Sequence, residues 1–209
     1  MKKNLIIIFA KYPSEGKVKT RLAAFLGAKY AVKLYKSFTE AVVKGAKDTK
    51  EHIRIEYAPK GKEKAFKEWL GENLVFRKQD GEDIGKKMYN AFVSAFNDGF
   101  LKVILIGTDI PEINSNLLKK AFYALRKNDA VIGPAEDGGY YLIGFNKGRL
   151  LKEAFIGIPW SSKEVFKKTL AAFKKRNYSV GTVEKKTDID TFEDLQKIRK
   201  RKTLNIVSF

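Results

Sequence analysis

With 209 residues, 44% of them hydrophobic, the chain is long enough to bury a full core and too short to favour two independent domains, so one domain spanning 1–209 is expected. Its 42 Lys and Arg against 24 Asp and Glu give a formal charge of +18, a field that attracts nucleotides, sugar phosphates, nucleic acid or anionic lipid without choosing among them. Cysteine is absent and His52 is the one histidine, which excludes disulfides, thiol nucleophiles and multi-histidine zinc sites and leaves oxygen as the ligand for any metal.

The first apolar run, Leu5–Ala10, is too short for a signal-peptide core or a membrane span, so a cytoplasmic protein is expected, and the run reads as a first strand. It leads into Lys11-Tyr12-Pro13-Ser14-Glu15-Gly16-Lys17-Val18-Lys19-Thr20-Arg21-Leu22, which carries four cations between Lys11 and Arg21. This is not a P-loop, because Lys11 stands where a glycine is needed and Val18 replaces the Ser/Thr; nor is it GxGxxG. Pro13 and Gly16 can shape a turn that leaves backbone amides and the side chains of Lys11, Lys19 and Arg21 to meet phosphate oxygens, the alternative being a solvated basic turn.

Ala31, Leu34, Tyr35, Phe38 and Ala41 then recur at helical spacing. A strand over Ile53–Ala58 follows, with His52 an ordinary residue at its start, then a strand over Leu74–Lys78 and a helix whose core face is Ile84, Met88, Ala91, Phe92 and Ala95. The strand Val103–Gly107 ends in Thr108-Asp109-Ile110-Pro111, which places one carboxylate at its carboxyl edge, as a ligand for Mg²⁺ or Mn²⁺ or as a turn-former before the proline. Strands over Ala130–Gly133 and Tyr140–Phe145 flank Pro134-Ala135-Glu136-Asp137-Gly138-Gly139, a tight return that predicts a partly antiparallel sheet. Asp137 there is a candidate acceptor-binding group or general base, unless the segment is a plain hairpin turn.

Ser161-Ser162-Lys163-Glu164 and Thr191-Phe192-Glu193-Asp194 each set a hydroxyl three residues before a carboxylate and predict capped helix starts, with a strand over Ser179–Val183 between them. Thr187-Asp188-Ile189-Asp190-Thr191 puts alternating carboxylates on one side of an extended segment, although Asp190 can equally serve as a helix-start acid. A basic helix and the tail Leu204-Asn205-Ile206-Val207-Ser208-Phe209 close the chain. Short strands alternating with amphipathic helices predict an α/β fold on a mainly parallel, mixed sheet. Lysines such as Lys60, Lys64, Lys119, Lys120, Lys167 and Lys174 sit at helix-face positions and read as solvated surface. The chain shows no RRM, KH or OB signature, which argues against nucleic acid as the partner.

Phe9-Ala10-Lys11-x-Pro13-x-x-Gly16-x-Val18-Lys19-Thr20-Arg21-Leu22, Gly107-x-Asp109-x-Pro111, Gly133-Pro134-Ala135-x-Asp137-Gly138-Gly139-Tyr140-Tyr141 and Asp188-x-Asp190-Thr191, with Trp160-Ser161-Ser162, together resemble one family. It comprises small GT-A-type proteins assigned as glycosyltransferases, or nucleotide-diphospho-sugar transferases, and is similar to phospholactate guanylyltransferases and molybdenum-cofactor nucleotidyltransferases. The resemblance runs from about Leu5 to Leu195 and implies a Rossmann-like α/β/α sandwich. It further implies a nucleotide or nucleotide-sugar donor, an unidentified small acceptor, and Mg²⁺ or Mn²⁺ as cofactor. Lys11 to Arg21, including Gly16, would then hold the nucleotide phosphates, with Lys19 and Arg21 acting on the reacting charge. Gln79, Gly81 and Gly85 would lie near the base and ribose, and Asp109 and Asp190 would be the metal ligands. Many GT-A glycosyltransferases carry Asp-x-Asp at the metal strand; the single Asp109 here is the pattern of nucleotidyltransferases instead.

Overall fold

The computed structural model describes residues 3–200, so the tail 204–209 lies outside the described residues. All seven expected strands are present: β1 (Asn4–Lys11), β2 (His52–Ala58), β3 (Val75–Lys78), β4 (Lys102–Ile106), β5 (Ala130–Pro134), β6 (Tyr140–Asn146) and β7 (Val180–Thr182). They form one sheet in the order β3-β2-β1-β4-β6-β5-β7, in which β6 runs antiparallel to β4 and β5 and the other pairings are parallel. The chain builds outward from β1 to β3 on one side and then returns to place β4 on the other, so the order reverses between β1 and β4. In open α/β sheets the crevice beyond the carboxyl ends of strands at such a reversal is where ligands bind.

Helices α1 (Thr20–Leu26), α2 (Ala28–Lys47), α3 (Glu63–Leu70), α4 (Ile84–Asn97), α5 (Ser115–Ala124), α6 (Val165–Lys175) and α7 (Phe192–Lys200) complete the described elements, with a short 3₁₀ turn at Lys152–Ala154. β1 is apolar from Leu5 to Ala10 because it lies between two strands with helices over both faces. Its even positions Ile6, Ile8 and Ala10 join the core with Val42 of α2, Phe66 of α3 and Leu117 of α5. Its odd positions Leu5 and Ile7 join Phe92 of α4 and Phe173 of α6 on the other face. The architecture is thus the expected Rossmann-like α/β/α sandwich. Among the described residues no helix is long and apolar enough to cross a membrane. The lysines at expected helix-face positions, Lys60, Lys64, Lys119, Lys120, Lys167 and Lys174, are exposed.

Two local expectations change. Helix α6 begins only at Val165: Ser161 adopts a left-handed φ of 67°, and the Ser162 hydroxyl accepts from the Glu164 amide two residues on, so Ser161 and Glu164 make no reciprocal cap. The Thr191 box does form, with Thr191 Oγ1 accepting from the Asp194 amide at 3.2 Å and Asp194 Oδ2 accepting from the Thr191 amide at 3.0 Å. Ile84, expected in the core, is 40% exposed and borders the crevice described below.

β2 carries a buried polar network. Arg54, 2% exposed, sets Nε 3.0 Å from Glu56 Oε1, donates Nη1 to Asp98 Oδ2 at 2.9 Å and donates Nη2 to the Ala91 carbonyl of α4 at 2.9 Å. Burial pushes the Glu56 carboxyl up to about 7, and the neighbouring Arg54 and Arg77 only partly oppose it. A carboxyl raised in the folded state stabilises most when protonated, so this contribution is complete at low pH and is lost as pH climbs through about 7. The wild type should therefore lose about 2–3 kcal/mol relative to Glu56→Gln between pH 5 and 8, at ~1.4 kcal/mol per unit. Urea denaturation of both proteins across that range measures the gap, and a constant gap would contradict the assignment.

Candidate active site

Beyond the carboxyl ends of β1 and β4 lies a crevice of about 920 Å³. Its floor is set by Tyr35 of α2, whose hydroxyl accepts from the Lys11 amide at 2.8 Å and from Thr108 Oγ1 at 3.2 Å. One phenol thus ties together the ends of the two strands on either side of the order reversal. Burial, first among several causes, pushes that phenol above its ordinary pKa.

The basic loop leaves β1 here, and four of its amides are already occupied. Lys11 donates to Tyr35, Tyr12 to the Ala58 carbonyl, Ser14 to the Tyr12 carbonyl and Lys17 to the Ser14 carbonyl. The amides expected for phosphates at these positions therefore already have partners, in α2, in β2 and within the loop itself. Gly16 takes φ +68°, a conformation that side chains resist, and it is not among the crevice-lining residues; its part is to turn the loop. Lys11, Lys17 and Arg21 line the crevice and are exposed.

Lys19 behaves differently. It ends the loop with φ 47° and ψ 45°, directly before α1, and its side chain is only 2% exposed. Its Nζ forms ion pairs with Asp109 Oδ1 and, at 2.7 Å, with Asp190 Oδ1. Burial acts to lower the Lys19 pKa, but the charges of Asp109 and Asp190 outweigh it and the net shift is upward. The structure thus joins three expected residues at one point, and it places Lys19 between the two candidate metal ligands rather than free in the crevice.

Asp109 arrives from β4 and Asp190 from the segment before α7. The two segments are joined where the Ile189 amide donates to the Asp109 carbonyl at 3.2 Å. Ile189, fully buried among Leu22, Leu34 and Phe38, turns the flanking Asp188 and Asp190 toward the crevice. Asp188, which sequence reasoning left without a role, enters the site with them. Its Oδ1 is buried with no hydrogen-bond partner, and its carboxyl is pushed up to about 7, first by burial and then by repulsion from Asp137, Asp109 and Asp190. The i, i+2 spacing about an apolar residue was the signal for it.

Asp137 is exposed on the crevice wall and accepts from the Gly139 amide at 2.8 Å, which orients its carboxylate across the β5–β6 turn. Gly138 (φ +92°) packs so closely on Lys163 that a β-carbon would run into its backbone, which seats this turn against the approach to α6. Trp160, also on the crevice, meets Tyr140 edge-on at 6.3 Å.

The segment expected near base and ribose divides. Gln79 lines the crevice, but its side-chain amide donates to the Glu56 carbonyl at 2.9 Å. Gly81 and Gly85 do not line it: a β-carbon on Gly81 would meet the backbone of Lys86 and Lys87, and one on Gly85 would meet the Phe155 carbonyl and the Trp160 indole. Close helix packing accounts for both glycines.

Chemically, two carboxylates converge on one cation position, with an orphaned carboxylate oxygen nearby and exposed cations around them. That position suits one hard divalent ion, which takes one or two protein carboxylates and completes its shell with phosphate oxygens and water. Among the described residues no group of three or more His, Asp or Glu side chains is arranged to hold a metal.

Residues 41–162 match the model of a bacterial family described as "uncharacterized protein conserved in bacteria (DUF2064)". The chain belongs to this family. A solved protein from Desulfovibrio desulfuricans G20, provisionally named a nucleotide-diphospho-sugar transferase, is 36% identical with a TM-score of 0.94, over 99% of this chain and 90% of that one. The 4-diphosphocytidyl-2C-methyl-D-erythritol synthase of Anaerococcus prevotii DSM 20548 shares the fold at 16% identity and TM-score 0.64, over 97% and 99% of the two chains. So does Rv0371c of Mycobacterium tuberculosis H37Rv, solved as a manganese complex, at 12% identity and TM-score 0.58, over 96% and 99%. No curated protein matches the chain.

Proposed function

We propose that the protein is a metal-dependent transferase acting on a nucleotide donor, with a nucleotide-diphospho-sugar as that donor and a small acceptor. The observation that carries this is the meeting of Asp109 and Asp190 at one cation position at the sheet's order reversal, beside exposed Lys11, Lys17 and Arg21. The name of the 36% identical Desulfovibrio protein supports the donor class, and the manganese complex of the Mycobacterium protein supports the cofactor class.

In this reading Asp109 and Asp190 hold Mg²⁺ or Mn²⁺, which when bound supplies Lewis-acid charge at the donor's phosphates. Lys11 and Arg21 neutralise charge that builds on the leaving diphosphate, and Lys19 contributes from the base of the loop. Asp137, held by the Gly139 amide, faces the acceptor as hydrogen-bond partner or base. Gln79 stands on the side of base and ribose; Gly16, Gly81 and Gly85 act there only by shaping the backbone. Residues 1–209 form one transferase unit working in the cytoplasm.

A second reading, nucleotidyl transfer with release of pyrophosphate, is favoured by one observation: β4 delivers the single carboxylate Asp109 rather than an Asp-x-Asp pair. The motif resemblance to phospholactate guanylyltransferases and molybdenum-cofactor nucleotidyltransferases points the same way. Incubation with sugar nucleotides and with nucleoside triphosphates, each with Mn²⁺, separates the two. Nucleoside diphosphate release is the expected result, pyrophosphate release would move the assignment to the second reading, and turnover of neither would defeat both.

A further inference from the structure

We infer that Lys19 is a resident stand-in for the metal: its ammonium fills the cation position between Asp109 and Asp190, so that metal enters well only together with the phosphates of the donor. This rests on the metal–nucleotide reading above and adds an order to it.

The geometry makes the two cations compete. Lys19 Nζ is within ion-pair distance of both carboxylates, at Oδ1 of Asp109 and Oδ1 of Asp190. A divalent ion ligated by the same oxygens would stand in contact with the ammonium, and two cations at that separation repel even though the Asp109 and Asp190 side chains are about half exposed. Lys19 must therefore withdraw before the ion can take both of these Oδ1 atoms.

Withdrawal is difficult when the metal comes alone. The Lys19 side chain is 2% exposed, and its stem is fixed at the start of α1 by a left-handed backbone that also closes the phosphate loop. An ammonium that leaves its carboxylates there loses its partners without regaining water, and a buried unpaired charge is costly. Donor phosphates remove the difficulty. Lys11, Lys17 and Arg21 line the same crevice as Lys19, so a diphosphate drawn to them offers Nζ new anionic partners in that crevice. Nζ then exchanges carboxylate oxygens for phosphate oxygens as the ion takes the carboxylates. Metal and nucleotide each raise the other's affinity, and the coupling is reciprocal. Lys19 thus occupies the metal's place in the free protein and passes to the phosphates when donor and metal enter together.

The test is Mn²⁺ binding without nucleotide, followed by loss of the free-ion EPR signal on the full chain. Lys19→Met should bind Mn²⁺ alone at least tenfold more tightly than wild type. Lys19→Gln, which keeps a hydrogen-bond donor between the carboxylates and guards against misfolding of the first variant, should do the same. Lys174→Met, an equal charge change on the exposed face of α6, should match wild type. Adding Asp109→Asn to Lys19→Met should abolish the gain. If wild type binds Mn²⁺ alone as tightly as Lys19→Met, and Asp109→Asn removes that binding in both, the metal site stands and the stand-in role of Lys19 is overturned. If neither protein binds Mn²⁺, alone or with nucleoside diphosphates, the metal–nucleotide reading itself fails and takes this inference with it.

Discussion

Asp109→Asn should lower donor turnover by more than about 100-fold, the scale of loss that follows when merely an outer-shell partner of a metal ligand is removed. The side chain keeps its shape but loses the charge, so the ion retains Asp190 alone and Lys19 keeps one partner of two. Asp190→Asn should act alike, because the two carboxylates work as one unit, and the double variant should be little worse than either single one. Steady-state rates for the donor identified by product release provide the check. Asp137→Asn should separate from this pair, lowering turnover with acceptor while leaving Mn²⁺-dependent donor binding in place.

The largest loss of stability is expected far from the crevice floor, at Arg54→Met. At pH 8, above the raised Glu56 value, removing a guanidinium that is 2% exposed leaves the Glu56 carboxylate, also 2% exposed, without its counter-charge and the Ala91 carbonyl without its side-chain donor. Breaking a buried pair in this way costs about 3–5 kcal/mol. In a chain of this size that lowers Tm by about 10 °C or more. Replacing both partners, as Arg54→Met with Glu56→Leu, should recover most of the loss, since a buried pair exchanged for apolar groups of similar volume is often near neutral. Lys44→Met, which removes an exposed ion pair with Asp48, should change stability by less than about 0.5 kcal/mol. Equal effects at the two positions would show that the network carries no such load.

Much of this molecule is legible in its residues because the signals are local. Seven strands follow from short β-branched runs, and the antiparallel return at β6 follows from Gly138-Gly139. The segments after β1, after β4, within the β5–β6 turn and before α7 carry the candidate residues, and the fold brings all four to one crevice beyond the carboxyl ends of the strands, where open α/β sheets place ligands. What local pattern does not carry is where long side chains end. Lys19 reads as one more phosphate-facing loop cation beside Lys11 and Arg21. Only the left-handed turn at its own backbone and the burial of its stem send Nζ to Asp190, 171 positions away. Arg54 and Glu56 alternate with apolar residues as if one side of β2 met water. Both sides of β2 are covered, so the charges must find Asp98 and each other instead. Gly81 and Gly85 resemble places where a ligand approaches the backbone, yet the approaching groups are helix α4 itself and Trp160. Ser161 has the composition of a cap, and its positive φ prevents it from serving as one.

The central claim is that one crevice holds nucleotide and metal jointly through Asp109 and Asp190, and thermal melts measure it most directly. Wild type, Asp109→Asn and Asp190→Asn are melted with sugar nucleotides, with Mn²⁺, and with both. A ligand at about 100 times its Kd stabilises by ~2.7 kcal/mol, or about 5–10 °C here. A rise of that size is expected in wild type only when nucleotide and Mn²⁺ are present together, and is lost in both variants. An equal rise without Mn²⁺, or in either variant, would contradict it.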